Sequence, residues 1–169
     1  MQLKHIAFLT LSAVSTFAMA EGFDVVVVGS GGAGLSSAIT AKESGATVVV
    51  LEKMAYIGGN SNFASGGMNA AGTKQQLAAG VTQDSPELFY KDTMKGGHNL
   101  NNPALLKTLT ENAKYAEEWL VDLGAKFCFR KGRGGGQSIA RGHGPCDGSA
   151  VGPEILRVLT ERAAKDGIA

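Results

Sequence analysis

The apolar positions of this chain fall into short β-branched runs and longer helical stripes. Phe23-Asp24-Val25-Val26-Val27-Val28 is a continuous run, the pattern of a strand buried on both faces of a parallel sheet. Leu35 to Ser44 predicts a helix with Gly45 as its C-terminal cap. Thr47-Val48-Val49-Val50-Leu51 predicts a second buried strand, closed by Glu52. Strand, glycine turn, helix and strand follow within about thirty residues, the span of one βαβ unit. A glycine- and asparagine-rich loop then runs from Ile57 to Thr73. A helix is predicted from Asp84-Ser85-Pro86-Glu87, where an acid or hydroxyl can cap and proline suits the first turn. Another runs from Asn102-Pro103 to about Asp122, with Leu105, Leu106, Leu109, Ala113, Ala116, Trp119, Leu120 and Leu123 on one face and Gly124 as its stop. Phe127-Cys128-Phe129 predicts a short strand, Lys131 to Gly152 an open loop, and Pro153-Glu154 the start of a last helix reaching Lys165. Asp166-Gly167-Ile168-Ala169 resembles a helix cap entering a further strand. The order predicts an α/β fold of Rossmann-like type around a parallel sheet.

The first twenty residues are read apart from the fold. Lys4 and His5 make a basic start, Ile6 to Phe17 is apolar but short for a bilayer span, and Ala18-Met19-Ala20 is an A-x-A cleavage pattern. Residues 1–20 are therefore expected to be a cleaved export signal, and 21–169 the mature domain. Export predicts a periplasmic location, with no membrane association after cleavage. It also makes a Cys128–Cys146 disulfide admissible, although spacing alone does not decide it. The formal net charge of +1 provides no field to attract nucleic acid or an anionic membrane surface. No metal-ligand spacing of cysteine and histidine occurs, and no C-x-x-C-H for attaching a c-type haem.

Glycine changes the picture most. There are 24, about twice the usual share, and they cluster at Gly29–Gly34, Gly58–Gly72 and Gly132–Gly152. Gly29-Ser30-Gly31-Gly32-Ala33-Gly34 is G-x-G-x-x-G between a predicted strand and a predicted helix, the context that makes this pattern meaningful. Gly29 permits a tight turn, Gly31 lets backbone approach a pyrophosphate, and Gly34 lets the helix pack on the strand. Phosphates then meet the free N–H groups of the helix start. Glu52 is placed to accept hydrogen bonds from ribose hydroxyls, with Lys53 beside it. This fingerprint alone suits NAD as well as FAD. The loop that follows, Gly58-Gly59-Asn60-Ser61 and then Ser65-Gly66-Gly67-Met68-Asn69-Ala70-Ala71, returns glycine-rich backbone toward the ligand. That suits a cofactor extending further, to a flavin.

With these motifs the sequence resembles the flavoprotein family of soluble fumarate reductases and flavocytochrome c, to which urocanate reductases and related enoate reductases also belong. The segments carrying the resemblance are Val26–Gly34, Leu51-Glu52-Lys53, Ile57-Gly58-Gly59-Asn60 and Gly66–Ala71. It implies the N-terminal part of a larger two-domain flavoprotein, without the capping domain. It places Ala33 and Gly34 at the pyrophosphate, Glu52 at the ribose, and Asn60, Ser61, Gly66 and Gly67 along FAD. Relatives that attach flavin covalently have a histidine about where Asn60 stands; asparagine cannot form that bond, so non-covalent FAD is expected. Arg141-Gly142-His143-Gly144-Pro145 resembles the family's R-x-H-R-P segment, with glycine where arginine is expected at position 144. Arg141 and His143 are candidates for orienting a substrate carboxylate or the flavin edge; the alternative is a basic loop closing over the pocket. His98 reads as a loop residue.

The resemblance implies hydride transfer from reduced flavin to the C=C of a fumarate-like unsaturated acid. The proton-donating arginine is expected beyond Ala169, so no catalytic acid is assigned within these residues. Reducing equivalents are expected from a separate donor such as a c-type cytochrome. Urocanate, methacrylate and ketosteroid relatives share these motifs. A flavin-binding module without turnover is the reading from a different class.

Overall fold

The computed structural model describes residues 22–169; the export signal expected at 1–20 lies outside the described residues. The βαβ unit forms as predicted. Strand β1 (Val25–Val28) leads into helix α1 (Gly32–Glu43) and returns through β2 (Val48–Leu51). The strands pair in parallel, Val25 beside Val48 and Val28 beside Leu51. Val50 N–H donates to the Ala169 carbonyl at 2.7 Å, so the chain re-enters along the outer edge of β2, as its last four residues predict.

Expected burial on both faces of β1 is not what the structure has. α1 packs on one face, while Val28 on the other is 83% exposed and Val26 55%. A run of four valines satisfies either environment, because its pattern carries no period to distinguish one covered face from two.

A second sheet is antiparallel, and the sequence reading missed most of it. Its strands are β3 (Met68–Asn69), β4 (Phe127–Arg130) and β5 (Gly142–Pro145), with β5 in the middle. The segment 131–152, expected as an open loop, thus contains a central strand. Gly-His-Gly-Pro has little intrinsic strand preference. Its pairing comes from its partners, the preceding strand β4 in register from Phe127–Pro145 to Arg130–Gly142, and the distant β3 through Met68–His143 and Asn69–Gly142. A disulfide joins Cys128, within β4, to Cys146, just past the end of β5.

Five helices are present among the described residues. Besides α1 these are α2 (Lys74–Ala78), α3 (Pro86–Gly96), α4 (Pro103–Asp122) and α5 (Val151–Lys165). Ser85 caps α3 by accepting from Leu88 N–H, and Asn102 caps α4 by accepting from Ala104 and Leu105 N–H. The predicted apolar face of α4 is rotated. Leu106, Thr110, Ala113, Glu117 and Leu120 are buried, while Leu105 is 70% exposed. The stripe contains a threonine and a glutamate, so an apolar count could not locate it. The main core joins Leu35 and Ile39 of α1 to Leu156, Val158 and Leu159 of α5, with Leu120 and Phe127.

Candidate functional site

The glycine turn after β1 has distinct demands at each position. Gly29 has φ +97°, a conformation that strongly favours glycine. A Cβ on Gly34 would lie 1.9 Å from the Gly29 carbonyl oxygen, so α1 rests directly on the turn. Gly31 differs. Its nearest neighbours would be Ser61 Oγ at 3.6 Å and the Gly58 carbonyl oxygen at 3.7 Å, so nothing within the fold excludes a side chain there. The position suits a ligand that needs bare backbone to approach. Gly31 caps α1 without any side-chain hydrogen bond, and no acid occupies the first turn. The opening N–H groups of the helix, including those of Ala33 and Gly34, have no partner inside it and face outward with the positive end of its dipole.

Glu52 stands beside this turn. Its Oε2 accepts from Ser30 N–H at 2.9 Å and from Ser30 Oγ at 2.6 Å, and its Oε1 accepts from Met54 N–H at 2.9 Å. The Ser30 hydroxyl and these N–H donors hold its carboxyl down to about 2. The group is therefore an acceptor throughout the neutral range, with lone pairs left for hydroxyl donors. Ser30 also accepts from Gly58 N–H at 3.1 Å, tying the next loop to the turn. A cavity of about 200 Å³ opens beside Ser30, Glu52 and Ile57. Lys53 is exposed next to it.

The loop after β2 lies against the same helix end. Gly59–Phe63 form a short 3-10 turn containing Asn60 and Ser61. Ser61 Oγ accepts from Gly32 N–H at 3.1 Å, so this hydroxyl sits at the α1 N-terminus. From behind, α5 clamps the turn. A Cβ on Gly152 would fall 2.0 Å from the Ser61 carbonyl oxygen, and Gly152 N–H donates to the Ala64 carbonyl at 2.9 Å. Gly66 and Gly67 follow, exposed, and enter β3, with Gly67 pressed on the His143 backbone: a Cβ there would meet the His143 carbonyl oxygen at 2.8 Å. Bare backbone is thus presented at Gly31 and again, after the turn carrying Ser61, at Gly66 and Gly67. An adenine dinucleotide carrying a second ring system fits this arrangement: an acceptor for ribose, free amides for pyrophosphate, then exposed glycine backbone for a flat ring.

Arg141 and His143 turn inward. The Arg141 guanidinium is fully buried against Asp84 and Asp92, with Nη2 to Asp84 Oδ1 at 2.7 Å and Nη1 to Asp92 Oδ2 at 2.6 Å. It also bonds Gln137 and lies 5.1 Å over the Phe89 ring. Its donors are spent on this cluster. Burial raises the Asp92 carboxyl, and its bonds to Ser138 and Arg141 outweigh that, leaving it below the ordinary value. His143 is fully buried beside Phe129, and Thr73 Oγ1 lies 2.8 Å from its Nε2. Burial lowers its pKa, with the Arg141 and Met68 carbonyls opposing. His98 sits in the turn after α3 with φ 53°.

The sequence reading missed Asp84, Asp92 and Thr73 as partners, because they lie 57, 49 and 70 residues from the side chains they hold. Asp84 was legible only as a helix-start residue. Among the described residues no cluster of His, Cys, Asp and Glu could hold a metal ion, and no helix is long and apolar enough to cross a membrane.

Comparison with known proteins agrees with the geometry. The model of an FAD binding domain matches residues 24–169. A fumarate reductase (cytochrome) of Shewanella frigidimarina is 51% identical over 145 residues, covering 86% of this chain and 25% of that protein. The NADH:fumarate oxidoreductase of Klebsiella pneumoniae is 53% identical over 148 residues, 88% of this chain and 16% of that one. The solved open conformation of a flavocytochrome c3 fumarate reductase superposes with a TM-score of 0.79 at 41% identity, covering 87% of this chain and 26% of that structure. The chain therefore spans a quarter or less of the length of these curated relatives.

Proposed function

The chain belongs to the FAD-binding domain family, its cofactor is FAD, and from that footing we propose that the whole protein reduces the C=C of a fumarate-like unsaturated carboxylic acid. The named fumarate reductases among its relatives support this reading, and so does a cradle whose free backbone extends past the pyrophosphate end to Gly67. That extension is the observation carrying the choice, because a nicotinamide cofactor needs only the first turn and its acid. Bound there, the flavin supplies the hydride chemistry.

The residues described here do the holding. Glu52, kept ionised by Ser30 and Met54, accepts from the ribose hydroxyls. The Ala33 and Gly34 amides at the α1 N-terminus, with Gly31 bare and Ser61 alongside, take the pyrophosphate. Asn60, Gly66 and Gly67 run along the rest of the cofactor, and Lys53 flanks the ribose end. Asparagine at position 60 supports non-covalent binding. Arg141 and His143 act as positioning residues, holding β5 and its loop through Asp84, Asp92 and Thr73. Export through residues 1–20 to the periplasm and electron supply by a separate donor such as a c-type cytochrome complete the proposal.

The test is anaerobic reoxidation of the dye-reduced, full-length protein by a panel of unsaturated acids, fumarate first. Reoxidation by at least one acid is expected; no response to any would overturn the reductase reading. Cofactor placement is checked separately. Glu52→Ala should lower FAD retention at least tenfold, and a purified variant with stoichiometric flavin would refute the ribose assignment. Acid precipitation should leave all flavin in the supernatant.

A further inference from the structure

Gly144 has no backbone reason to be glycine. Its φ lies outside the left-handed region, and it stands in a regular ladder opposite Cys128. Its reason is a neighbour. A Cβ at this position would meet the guanidinium of Arg130, with Nη2 at 2.6 Å, Cζ at 2.8 Å and Nε at 3.0 Å. Arg130 comes from β4 and lies across β5, its Cβ also 3.5 Å from where a side chain on Gly142 would begin. Nη2 donates to the Ser149 carbonyl at 3.1 Å, fixing the group in place.

The face on which it lies is open. Asn69, Gly142 and Arg130 are directly paired across the three strands, so their side-chain directions share one side of the sheet. Met68, His143 and Phe129 form the adjoining row on the opposite side, where His143 is fully buried. On the open side Asn69 and Arg130 stand on the outer strands, about 10 Å apart by two strand spacings, with only glycine between them. The chain entering β3 is Gly66-Gly67, exposed.

Arg130 also differs from three of the other arginines in lacking a carboxylate. Arg141, Arg157 and Arg162 each bind two acids. Arg130 makes no ion pair among the described residues. Asp147, the acid near it, is held low chiefly by Ser149, with Arg130 a minor contributor. A planar cation laid over bare backbone, anchored at one nitrogen and without an acid, matches the geometry of bidentate carboxylate recognition.

We propose that Arg130 is a carboxylate-binding residue of this protein: the open face of the β3–β5–β4 sheet, floored by Gly142 and Gly144 and flanked by Asn69, receives one carboxylate of the acid substrate. The inference rests on the reductase reading above, since it assigns that reading's substrate to a surface beside Gly66-Gly67. It also accounts for the missing arginine at position 144, because a cation from the neighbouring strand already fills that space.

The test titrates full-length, FAD-loaded protein with succinate, a dicarboxylate that cannot be reduced, and with uncharged dimethyl succinate, reading the flavin difference spectrum. Wild type should respond to succinate and not to the diester. Arg130→Gln should weaken succinate binding at least tenfold with FAD content unchanged, and Arg130→Lys by less. Gly144→Ala, which leaves the arginine in the sequence but displaces its guanidinium, should weaken succinate binding in the same direction. A wild-type Kd in Arg130→Gln overturns the proposal alone. Loss of FAD from Arg130→Gln also overturns it, assigning the residue to the cofactor or to the fold. FAD-loaded wild type that binds no dicarboxylate removes the reductase reading together with the proposal.

Discussion

The two sheets of this chain are built by opposite means. β1, α1 and β2 are contiguous, and their site is made of backbone: glycines at 29, 31 and 34, free amides at a helix start, and one half-buried carboxylate, Glu52. The second sheet joins β3 to strands β4 and β5 more than fifty residues further along the chain, held by buried polar side chains and a disulfide. In the first region a side chain is what the site must exclude. In the second, side chains are what keep the strands together. Damage should accordingly reach stability in one and cofactor binding in the other.

The largest expected effect is at Arg141. Arg141→Ala strands the Asp84 carboxylate, which is wholly buried, and removing one partner of a buried pair costs about 3–5 kcal/mol. Urea denaturation of the full-length protein should show that loss. A variant within about 1 kcal/mol of wild type would mean the cluster does not hold the second sheet, and the contrast between regions would fail.

Gly34 and Gly31 sharpen the contrast within the first region. Gly34→Ala sets a Cβ 1.9 Å from the Gly29 carbonyl oxygen, and backbone cannot yield as a side-chain tip can. A stability loss of about 1–3 kcal/mol is expected, typical of overpacking, with FAD binding reduced in step. Gly31→Ala meets nothing nearer than 3.6 Å. Its apoprotein should keep its stability within about 0.5 kcal/mol while FAD affinity falls at least tenfold. Calorimetry of apoprotein with flavin titration separates the two; equal effects on stability and affinity would break the distinction.

The difference between regions also explains what the sequence made legible. The βαβ unit was readable because its signals are local: a valine run, a glycine turn and a closing acid. The caps at Ser85 and Asn102 were local too, and appear where expected. β5 was not readable, since Gly-His-Gly-Pro lacks strand preference and owes its central place to β4 across a glycine-rich loop and to β3 more than seventy residues upstream. The same blindness applies to Arg141 and His143. As residue types they suit a substrate site, and only the positions of Asp84, Asp92 and Thr73 direct them inward. The buried stripe of α4 escaped for a related reason, because Glu117 breaks the apolar pattern. Burial raises that carboxyl, which Gln75 partly offsets with a hydrogen bond at 2.9 Å.

The smallest expected effect tests whether a single side chain matters in a region governed by backbone. Glu52 is held at about 2 in the folded protein, below its ordinary 4.5, with the Ser30 hydroxyl as the leading cause. A depressed carboxyl contributes stability above its unfolded value and loses it as pH falls through its folded value. The Glu52 contribution is thus complete above about pH 4.5 and disappears toward pH 2. Ser30→Ala removes the 2.6 Å hydroxyl bond and leaves the Ser30 and Met54 N–H donors in place. Carbon-detected NMR titration of the apoprotein should then find the Glu52 pKa raised toward its ordinary value, with the corresponding part of its stability contribution lost at neutral pH and that difference from wild type vanishing toward pH 2. If it stays at about 2, the N–H donors suffice, and the ribose acceptor would be as much a backbone construction as the phosphate cradle beside it.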